Sequence, residues 1–481
     1  MVERVTRAGN ATIGLAAVCA AWFKEVGLQG EGKGLAGTLQ RDYQAMVEFL
    51  RRCFGAVVAP GVITTTEEAE RAASDFEVAS VDAVLLVHIM WNEDQPLISV
   101  LENRGGRPLI LWHYRPAGAF PPYLKTDDLF RYSGTVGALQ GSAVLQRLGI
   151  EPVMVAGMPG EAELAAELRQ LDRALSIRHD FLGLRAGRIA GMCDAMTGTA
   201  VSPEALRARL GVQLVEISAQ EYAAACQSVS QGRVRAFAHD AKAKFAVEGV
   251  CDASLELASR NTLALDDLVA RHGLGVVAIQ DLDPDLHRLA GVRPCLCPPI
   301  SAELGVAFGM ESDLHATLGL LACMKAAGAP AMYTEVFTFD PRANTLLMGH
   351  AGVHDPRLAA ASGVTIVPDY EYRHADIVEG AWQEFILREG PVTCASLYDA
   401  GDRYRLTVFE GESLGGERRL QGFAHAVVRP DVQVEELLPR LLRRGMTQHF
   451  AVAPGRLSGL LAKWCRLSDI EFCSEQRGSG A

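Results

Sequence analysis

The feature that most constrains the fold is an alternation of short apolar, β-rich runs with helical segments, which extends to about residue 330. Ala83 to Ile89 and Leu109 to His113 have the composition of buried strands, and Gln95 to Glu102 lies between them as a helical crossover. Pro152 to Gly157 and Glu161 to Asp180 repeat the order of strand and helix. Because parallel strands require such crossovers, the pattern predicts parallel α/β layers.

A second α/β segment begins near Phe181, and the pattern changes again at Ala331, where hairpins with Gly and Pro turns replace the alternation. The chain is therefore predicted to be an α/β protein with two Rossmann-like parallel α/β domains, followed by a mainly antiparallel β-rich C-terminal domain. The predicted boundaries are 1–157, 158–329 and 330–481. The strands predicted after Phe181 are Arg188 to Cys193, Val212 to Ile217, Val276 to Gln280, Val364 to Val367, Val392 to Leu397, Tyr404 to Phe409 and Phe423 to Val428, with a closing helix near Ser458 to Arg466.

Composition excludes several classes of protein. A chain of 481 residues with 49% hydrophobic residues can bury large cores. The net charge of −12 argues against a nucleic-acid-binding surface. Eleven cysteines at irregular spacing are typical of reduced thiols and indicate a cytoplasmic protein. No apolar run approaches the roughly 20 residues that span a bilayer, so no membrane partner is expected.

A carboxylate on an aromatic face marks the first predicted hairpin. The strand from Ala331 to Phe339 alternates so that Glu335 shares one face with Tyr333, Phe337 and Phe339. A carboxylate in that position is costly unless it is paired or binds a metal. The pattern therefore selects Glu335 as a candidate functional residue.

The turn after this strand sets the predicted partner of Glu335. Asp340 to Asn344 contains the Pro and Asn typical of a turn, and Thr345 to His350 is predicted to return as a strand. A turn centred after Arg342 places Glu335 opposite His350, with Cβ atoms roughly 5 Å apart. An ordinary polar pair without a metal is the alternative.

Glu311 is a third candidate, at the start of a predicted helix. Ser312 is a plausible N-cap for a helix from Asp313 to Ala326, which Gly328 ends. The carboxylate thus precedes the strand that carries Glu335. Two glutamates and a histidine would suit Mn²⁺, Co²⁺, Fe²⁺ or Zn²⁺ better than Ca²⁺.

An acidic segment that precedes Glu311 in the sequence partly matches the pattern of a calcium-binding loop. Asp281, Asp283 and Asp285 have the spacing of an EF-hand, but Leu286 occupies the position that requires Gly. The sequence therefore predicts a solvated acidic loop there.

Three motifs resemble the L-fucose isomerase and L-arabinose isomerase superfamily: GMESDLHATLGLL, AMYTEVFTFDPRANTLLMGHAG and TQHFAVAPG. Enzymes of that superfamily hold a divalent metal, usually Mn²⁺, and interconvert aldoses and ketoses. The resemblance implies that Glu311 and Glu335 are the acidic metal ligands and that His350 and His449 are the histidine ligands. It is clearest from about Gly273 onward, and neither branch's N-terminal substrate motif is present.

The resemblance also implies a mechanism: a sugar or modified sugar would be isomerised through an enediolate, with Glu311 and Glu335 transferring protons. It further implies a homo-oligomer, a trimer or hexamer, in which a neighbouring subunit completes the pocket. The first domain is then expected to contact the sugar. His88 and Trp91 follow a predicted buried strand at its carboxyl end, while Gln140 and Phe337 loosely match family positions near the sugar.

Two other functions remain open. A metal-dependent lyase, decarboxylase or epimerase could use the same enediolate on a sugar acid or modified sugar. A non-catalytic sugar-binding protein could have kept the fold, although four intact candidate ligands argue against it. Analysis of the reaction products separates the first alternative from isomerisation.

Overall fold

The computed structural model describes residues 11–25, 33–371 and 380–476. The chain divides into two compact units. Among the described residues, those up to His179 together with Arg466–Ser468 form the first unit, and those from Asp180 to Cys465 and from Asp469 to Gln476 form the second. Parallel sheets and a mixed C-terminal sheet confirm a mixed α/β protein, whereas the three-domain division stays a prediction.

The first unit contains a parallel sheet of six strands in the order β2-β1-β4-β5-β6, with β3 also paired to β1. All six residues of β4 are buried, as expected for a central strand of a parallel sheet. The elements up to the end of this unit are β1 (Thr12–Val18), α1 (Ala21–Glu25), α2 (Lys33–Leu50), β2 (Ala56–Val58), β3 (Val62–Ile63), α3 (Thr66–Val78), β4 (Ala83–His88), α4 (Asp94–Glu102), β5 (Leu109–Tyr114), α5 (Thr126–Arg131), α6 (Gly134–Arg147), β6 (Val153–Gly157) and α7 (Ala162–Phe181).

The second unit begins with a parallel sheet of four strands in the order β11-β10-β7-β8. The strand order reverses between β7 and β10, and such a reversal is where open α/β sheets bind ligands, beyond the carboxyl ends of the strands. The elements of this part are β7 (Arg185–Ile189), a 3₁₀ helix (Thr197–Thr199), α8 (Pro203–Leu210), β8 (Gln213–Ile217), α9 (Ala219–Ser228), α10 (Gln231–Lys244), β9 (Ala246–Val247), α11 (Asp252–His272), β10 (Val276–Ile279), α12 (Pro284–Ala290), α13 (Pro299–Glu303), β11 (Ala307–Met310) and α14 (Leu314–Ala327).

The rest of the second unit is built on a mixed sheet of ten strands. Six of them form a closed cycle of antiparallel neighbours, β17-β16-β19-β12-β13-β18, because β18 also pairs with β17. The elements are β12 (Met332–Asp340), β13 (Thr345–His350), a 3₁₀ helix (Pro356–Leu358), β14 (Thr365–Pro368), β15 (Ala381–Ile386), β16 (Gly390–Asp399), β17 (Tyr404–Ser413), β18 (Ala424–Pro430), α15 (Val434–Arg444), β19 (His449–Pro454), α16 (Ser458–Leu467) and β20 (Glu471–Ser474).

The hairpin of β12 and β13 forms where it was predicted, but one part of its register differs. A β-bulge between Val336 and Thr338 shifts the pairing by one residue, so Glu335 lies opposite Gly349. The prediction that Glu335 faces His350 is therefore wrong. Nearer the turn the predicted register is confirmed, in the pairs Thr338 with Leu347, Phe339 with Leu346 and Asp340 with Thr345.

No helix in the described ranges is both long and apolar enough to cross a membrane.

The packing of β11 against α14 leaves no room for a side chain at Gly309. A Cβ atom there would lie 2.0 Å from Oγ1 of Thr317. Thr317 is fully buried, and its hydroxyl donates a 2.6 Å hydrogen bond to the Asp313 carbonyl. The close approach therefore fixes the end of β11 relative to the start of α14.

We expect Gly309→Ala to lower the free energy of unfolding by about 1–3 kcal/mol, the usual cost of overpacking, in urea titrations. Gly232→Ala is the matched control, because Gly232 lies in α10 with open space around it. In the control, stability should be unchanged or raised by up to about 1 kcal/mol. Equal losses in both variants would contradict the proposed close packing.

Candidate metal centre

Three side chains from three elements converge in the second unit. Glu311 directly follows β11, His350 ends β13 and His449 begins β19. Each offers one ligand atom, and these atoms lie within 4.8 Å of one another. Nε2 of His449 is 3.1 Å from Oε2 of Glu311, and Nε2 of His350 is 4.0 Å from Oε1. One carboxylate and two imidazoles at this spacing can hold a divalent ion.

His350 presents an unpaired nitrogen to this cluster. Its Nδ1 lies 2.8 Å from the carbonyl oxygen of Ala351, so Nδ1 carries the proton and donates it to that carbonyl. Nε2 is buried and has no hydrogen-bond partner among the described residues. Because an unsatisfied buried lone pair is costly, the arrangement fits a metal ligand better than a packing residue.

His449 is oriented by a buried carboxylate. Its Nδ1 lies 2.9 Å from Oδ2 of Asp313, and both side chains are fully buried. Metal-binding histidines commonly donate their second ring nitrogen to such a carboxylate, which directs the other nitrogen at the ion. Burial lowers the pKa of His449, but the hydrogen bonds to Asp313 and Glu311 outweigh burial and raise the pKa to about 9. When no metal is bound, the positive charge of the His449 imidazolium thus compensates the negative charges of Glu311 and Asp313.

Asp313 also caps the N-terminus of α14, a role that was predicted for Ser312. It, and not Ser312, is the N-cap of α14, and its Oδ1 accepts a 3.0 Å hydrogen bond from the backbone N–H of Ala316. Ser312 instead donates its hydroxyl to the carbonyl oxygen of Gly191. Two adjacent residues of good capping type made the sequence signal ambiguous.

The backbone turns sharply at the first ligand. Glu311 and Ser312 both have φ of +57°, in the left-handed region that residues with a side chain rarely adopt. The backbone N–H of Glu311 donates a 2.9 Å hydrogen bond to Oδ1 of Asp281. Residues held in such conformations cluster at functional sites.

Asp281 was not recognised as part of the site, because the acidic segment was predicted to be solvated. That prediction is wrong for Asp281, which is 1% exposed. It is correct for Asp285, an exposed residue that pairs with Arg288. Asp283 caps α12 by accepting the backbone N–H groups of Asp285 and Leu286.

Glu335 lies beside the cluster and outside the set of three converging ligands. It pairs directly with His449 across β12 and β19 and is half-buried. Burial raises its pKa, and the negative charge of Glu311 adds to that effect, while His350 and His449 oppose it. For Glu311 burial also acts to raise the pKa, but its hydrogen bond to His449 and the nearby charges of both histidines lower it overall. The two glutamates are therefore electrostatically distinct.

Tyr333 and Gln448 also border the cluster. The Tyr333 ring centroid is 5.1 Å from that of His350 and 4.9 Å from that of His449, and its hydroxyl donates to the Met310 carbonyl. Gln448 is an exposed residue whose Nε2 lies 3.3 Å from Oε2 of Glu311. The strand alternation placed Tyr333 on the face of Glu335, whereas no local pattern marked Gln448.

Two of the predicted sugar-contacting residues meet in the first unit. Nε1 of Trp91 donates a 2.9 Å hydrogen bond to Oε1 of Gln140, and Nε2 of Gln140 donates to Oδ1 of Asp94 at 2.7 Å. Both side chains are half-buried beyond the carboxyl end of β4. Their contact with a sugar stays a prediction.

His88 is buried beneath α6. Its Nδ1 lies 2.6 Å from Oδ1 of Asn92, and Nε2 has no hydrogen-bond partner among the residues described. Cβ atoms built at Gly137 and Gly141 would lie 3.3 Å and 2.8 Å from the ring. The helix therefore needs glycine at these positions to pack on the histidine.

Phe337 is exposed at the bulge of β12, and its ring packs edge-to-face on Phe423 with centroids 5.6 Å apart. As for His88, Trp91 and Gln140, contact between Phe337 and a sugar stays a prediction.

Comparison with known proteins gives relatives that match most of the chain, although no family model matches it. Sulfoquinovose isomerases from Priestia aryabhattai and Priestia megaterium are each 22% identical over 435 residues, which cover 89% of this chain and 93% of each relative. A sulfoquinovose isomerase from Alkalicoccus urumqiensis is 21% identical over 382 residues, 78% of this chain and 82% of the relative. The similarity therefore extends over both units.

The raised pKa of His449 predicts a loss of stability at alkaline pH when no metal is bound. Since the pKa in the folded state exceeds the ordinary value of 6.5, the stabilising contribution is fully present below about pH 6.5 and is lost as the pH rises through about 9. With EDTA present, the free energy of unfolding should fall by up to about 3 kcal/mol over this range.

The comparison with His449→Gln isolates this contribution, because other groups that titrate in the same range are common to both proteins. The difference in unfolding free energy between wild type and variant should shrink as the pH rises. A difference that stays constant from pH 6 to pH 10 would contradict the assigned pKa.

Proposed function

Because this chain is a divergent aldose–ketose isomerase of the fucose- and arabinose-isomerase type, we propose that it requires a divalent metal and works through an enediolate of its sugar. The observation that carries the proposal is the convergence of Glu311, His350 and His449. In both histidines Nδ1 is hydrogen-bonded to a group outside the three ligands, so Nε2 is the ring nitrogen that faces the other ligands. Mn²⁺, or another divalent ion such as Co²⁺, Fe²⁺ or Zn²⁺, fits this donor set.

A divalent ion bound by these residues would supply positive charge to stabilise the negative charge that develops on two adjacent sugar oxygens. The residues of the chain perform the other tasks. Glu311 has a lowered pKa and remains a carboxylate, as a ligand must. Asp313 holds the ring of His449 in one orientation, and the Ala351 carbonyl does the same for His350.

Glu335 is the residue that we assign to proton transfer between C1 and C2. Its raised pKa brings the carboxyl group closer to the working pH, where a general base can accept a proton and return it. Its pairing with His449 keeps it next to the cluster without placing it among the three converging ligands. A contribution of Glu335 to metal binding, and of Glu311 to proton transfer, belongs to the same proposal.

We further propose that the substrate is sulfoquinovose or a similarly modified sugar, because sulfoquinovose is named in the relatives' activity. His88, Trp91, Gln140 and Phe337 are proposed to contact it, in a homo-oligomer of L-fucose/L-arabinose isomerase fold whose domains span 1–157, 158–329 and 330–481. A cytoplasmic location is supported by the eleven cysteines, all of which are free thiols.

The direct test of this function is metal-dependent exchange of a carbon-bound proton. Protein treated with EDTA and then supplied with Mn²⁺ should convert sulfoquinovose to its ketose in D₂O, with deuterium at C2 or C1 detected by NMR. The EDTA-treated protein should do neither. Failure across a panel of aldoses and ketoses with Mn²⁺ present would contradict the isomerase proposal, and elimination or decarboxylation products would instead support a lyase.

Two substitutions separate the proposed roles of the glutamates. Glu335→Gln should lower kcat by at least about 100-fold, the usual contribution of a general base, while Mn²⁺ affinity from calorimetric titration falls less than in Glu311→Gln. Glu311→Gln should weaken Mn²⁺ binding by at least about tenfold, since loss of even an outer partner of a ligand costs that much. Glu435→Gln, an exposed glutamate of α15, is the control. Full turnover in Glu335→Gln would contradict its catalytic role.

A further inference from the structure

A buried arginine cluster lies next to the site in the second unit. Arg293 is 2% exposed, and its guanidinium donates to Asp369 through Nε at 2.9 Å and through Nη2 at 3.2 Å. Its Nη1 donates to Oδ2 of Asp281 at 3.1 Å, and Nη2 also contacts Glu371. The guanidinium carbon lies 4.3 Å from the ring centroid of Trp382. A buried guanidinium tolerates such an environment only when its charge is paired.

Asp281 connects this cluster to the candidate metal ligand. It lies two residues beyond the end of β10 and uses its two carboxylate oxygens for two different partners. Oδ2 accepts from Arg293 at 3.1 Å, and Oδ1 accepts from the backbone N–H of Glu311 at 2.9 Å. Hydrogen bonds to an ionised carboxylate are the stronger kind.

The N–H that Asp281 holds belongs to a residue in a disfavoured conformation. Glu311 and the following Ser312 share the left-handed φ of +57°. Such a conformation persists only where the surroundings impose it. Arg293 contributes to this restraint, because its Nη1 donates a 3.1 Å hydrogen bond to Oδ2 of Asp281 and so holds the carboxylate with Oδ1 toward the N–H of Glu311.

We propose that Asp281 is a positioning residue that holds Glu311 in the conformation required of a metal ligand, with Arg293 holding the carboxylate of Asp281 in place. This inference rests on the proposed function for its consequence in metal binding, whereas the restraint on Glu311 can be tested without a metal. Asp281 itself is not placed among the three converging ligands.

Asp369→Asn is a matched control for Asp281→Asn. Both substitutions replace a buried carboxylate on Arg293 by an amide of the same shape. In Asp281→Asn, the amide oxygen is expected to turn toward the charged guanidinium, which leaves the NH₂ group facing the N–H of Glu311. Asp369 accepts from Nε and Nη2 of Arg293, so its substitution removes a carboxylate from the cluster while leaving in place the Asp281 oxygen that accepts from Glu311.

The first measurement is hydrogen–deuterium exchange of the peptide covering residues 307–314 in the metal-free protein. We expect faster exchange in Asp281→Asn than in the wild type, and a rate close to the wild type in Asp369→Asn. Equal exchange in the wild type and Asp281→Asn, or equal acceleration in both variants, would overturn the positioning role whatever the protein catalyses.

The second measurement is Mn²⁺ affinity by calorimetric titration of the full chain. Asp281→Asn should bind Mn²⁺ at least about tenfold more weakly, as when an outer partner of a ligand is lost, while Asp369→Asn stays close to the wild type. If Asp281→Asn does not fold, Asp281→Glu retains the charge beside Arg293 but moves the oxygen away from Glu311, and it should weaken Mn²⁺ binding similarly. Wild-type affinity in the folded variant would overturn the inference.

The two measurements distinguish this inference from the proposed function. A wild-type chain that binds no Mn²⁺ would contradict the proposed function, and the exchange of residues 307–314 would still decide the role of Asp281. Normal Mn²⁺ binding by the wild type together with unaltered binding by Asp281→Asn would contradict the inference alone.

Discussion

The hydrogen bond between Asp313 and His449 is the interaction on which the candidate site most depends, because it joins the two sheets of the second unit. Asp313 follows the parallel sheet and caps α14 with one carboxylate oxygen, while the other oxygen holds the ring at the start of β19. A carboxylate at a helix N-terminus is stabilised by the helix dipole. The same residue therefore begins a helix and fixes the direction in which His449 presents Nε2.

Asp281, which lies beyond the neighbouring strand β10, also uses its two carboxylate oxygens for two different partners. One oxygen accepts from Arg293 and the other accepts from the N–H of Glu311. Asp281 and Asp313 thus each connect a candidate metal ligand to another part of the fold. The site is thus built from the carboxyl ends of parallel strands on one side and from an antiparallel sheet on the other. The environment then separates the glutamates: the histidines lower the pKa of Glu311, whereas burial raises that of Glu335.

The alternation predicted the class of fold, and the local patterns selected Glu311 and His350, whereas His449 was indicated only by the family resemblance and Glu335 lies outside the three converging ligands. The sequence could not predict how the backbone brings these residues together. Pro and Asn in the turn set the register of β12 and β13 near the turn correctly, yet the bulge beyond Val336 left no mark in the alternation. That bulge changes the neighbour of Glu335 from His350 to Gly349. Asp281 was mistaken for a solvated residue because its partner Arg293 is 12 residues away in sequence, and burial of such a pair depends on tertiary packing.

Binding of one divalent ion by Glu311, His350 and His449 can be observed by anomalous diffraction from crystals grown with Mn²⁺. We expect one strong peak about 2.0–2.3 Å from a carboxylate oxygen of Glu311 and from Nε2 of both histidines, with Nδ1 of His350 still bonded to Ala351 and Nδ1 of His449 to Asp313. A peak bound through either Nδ1, or no peak at these residues while Mn²⁺ activates the protein, would contradict it.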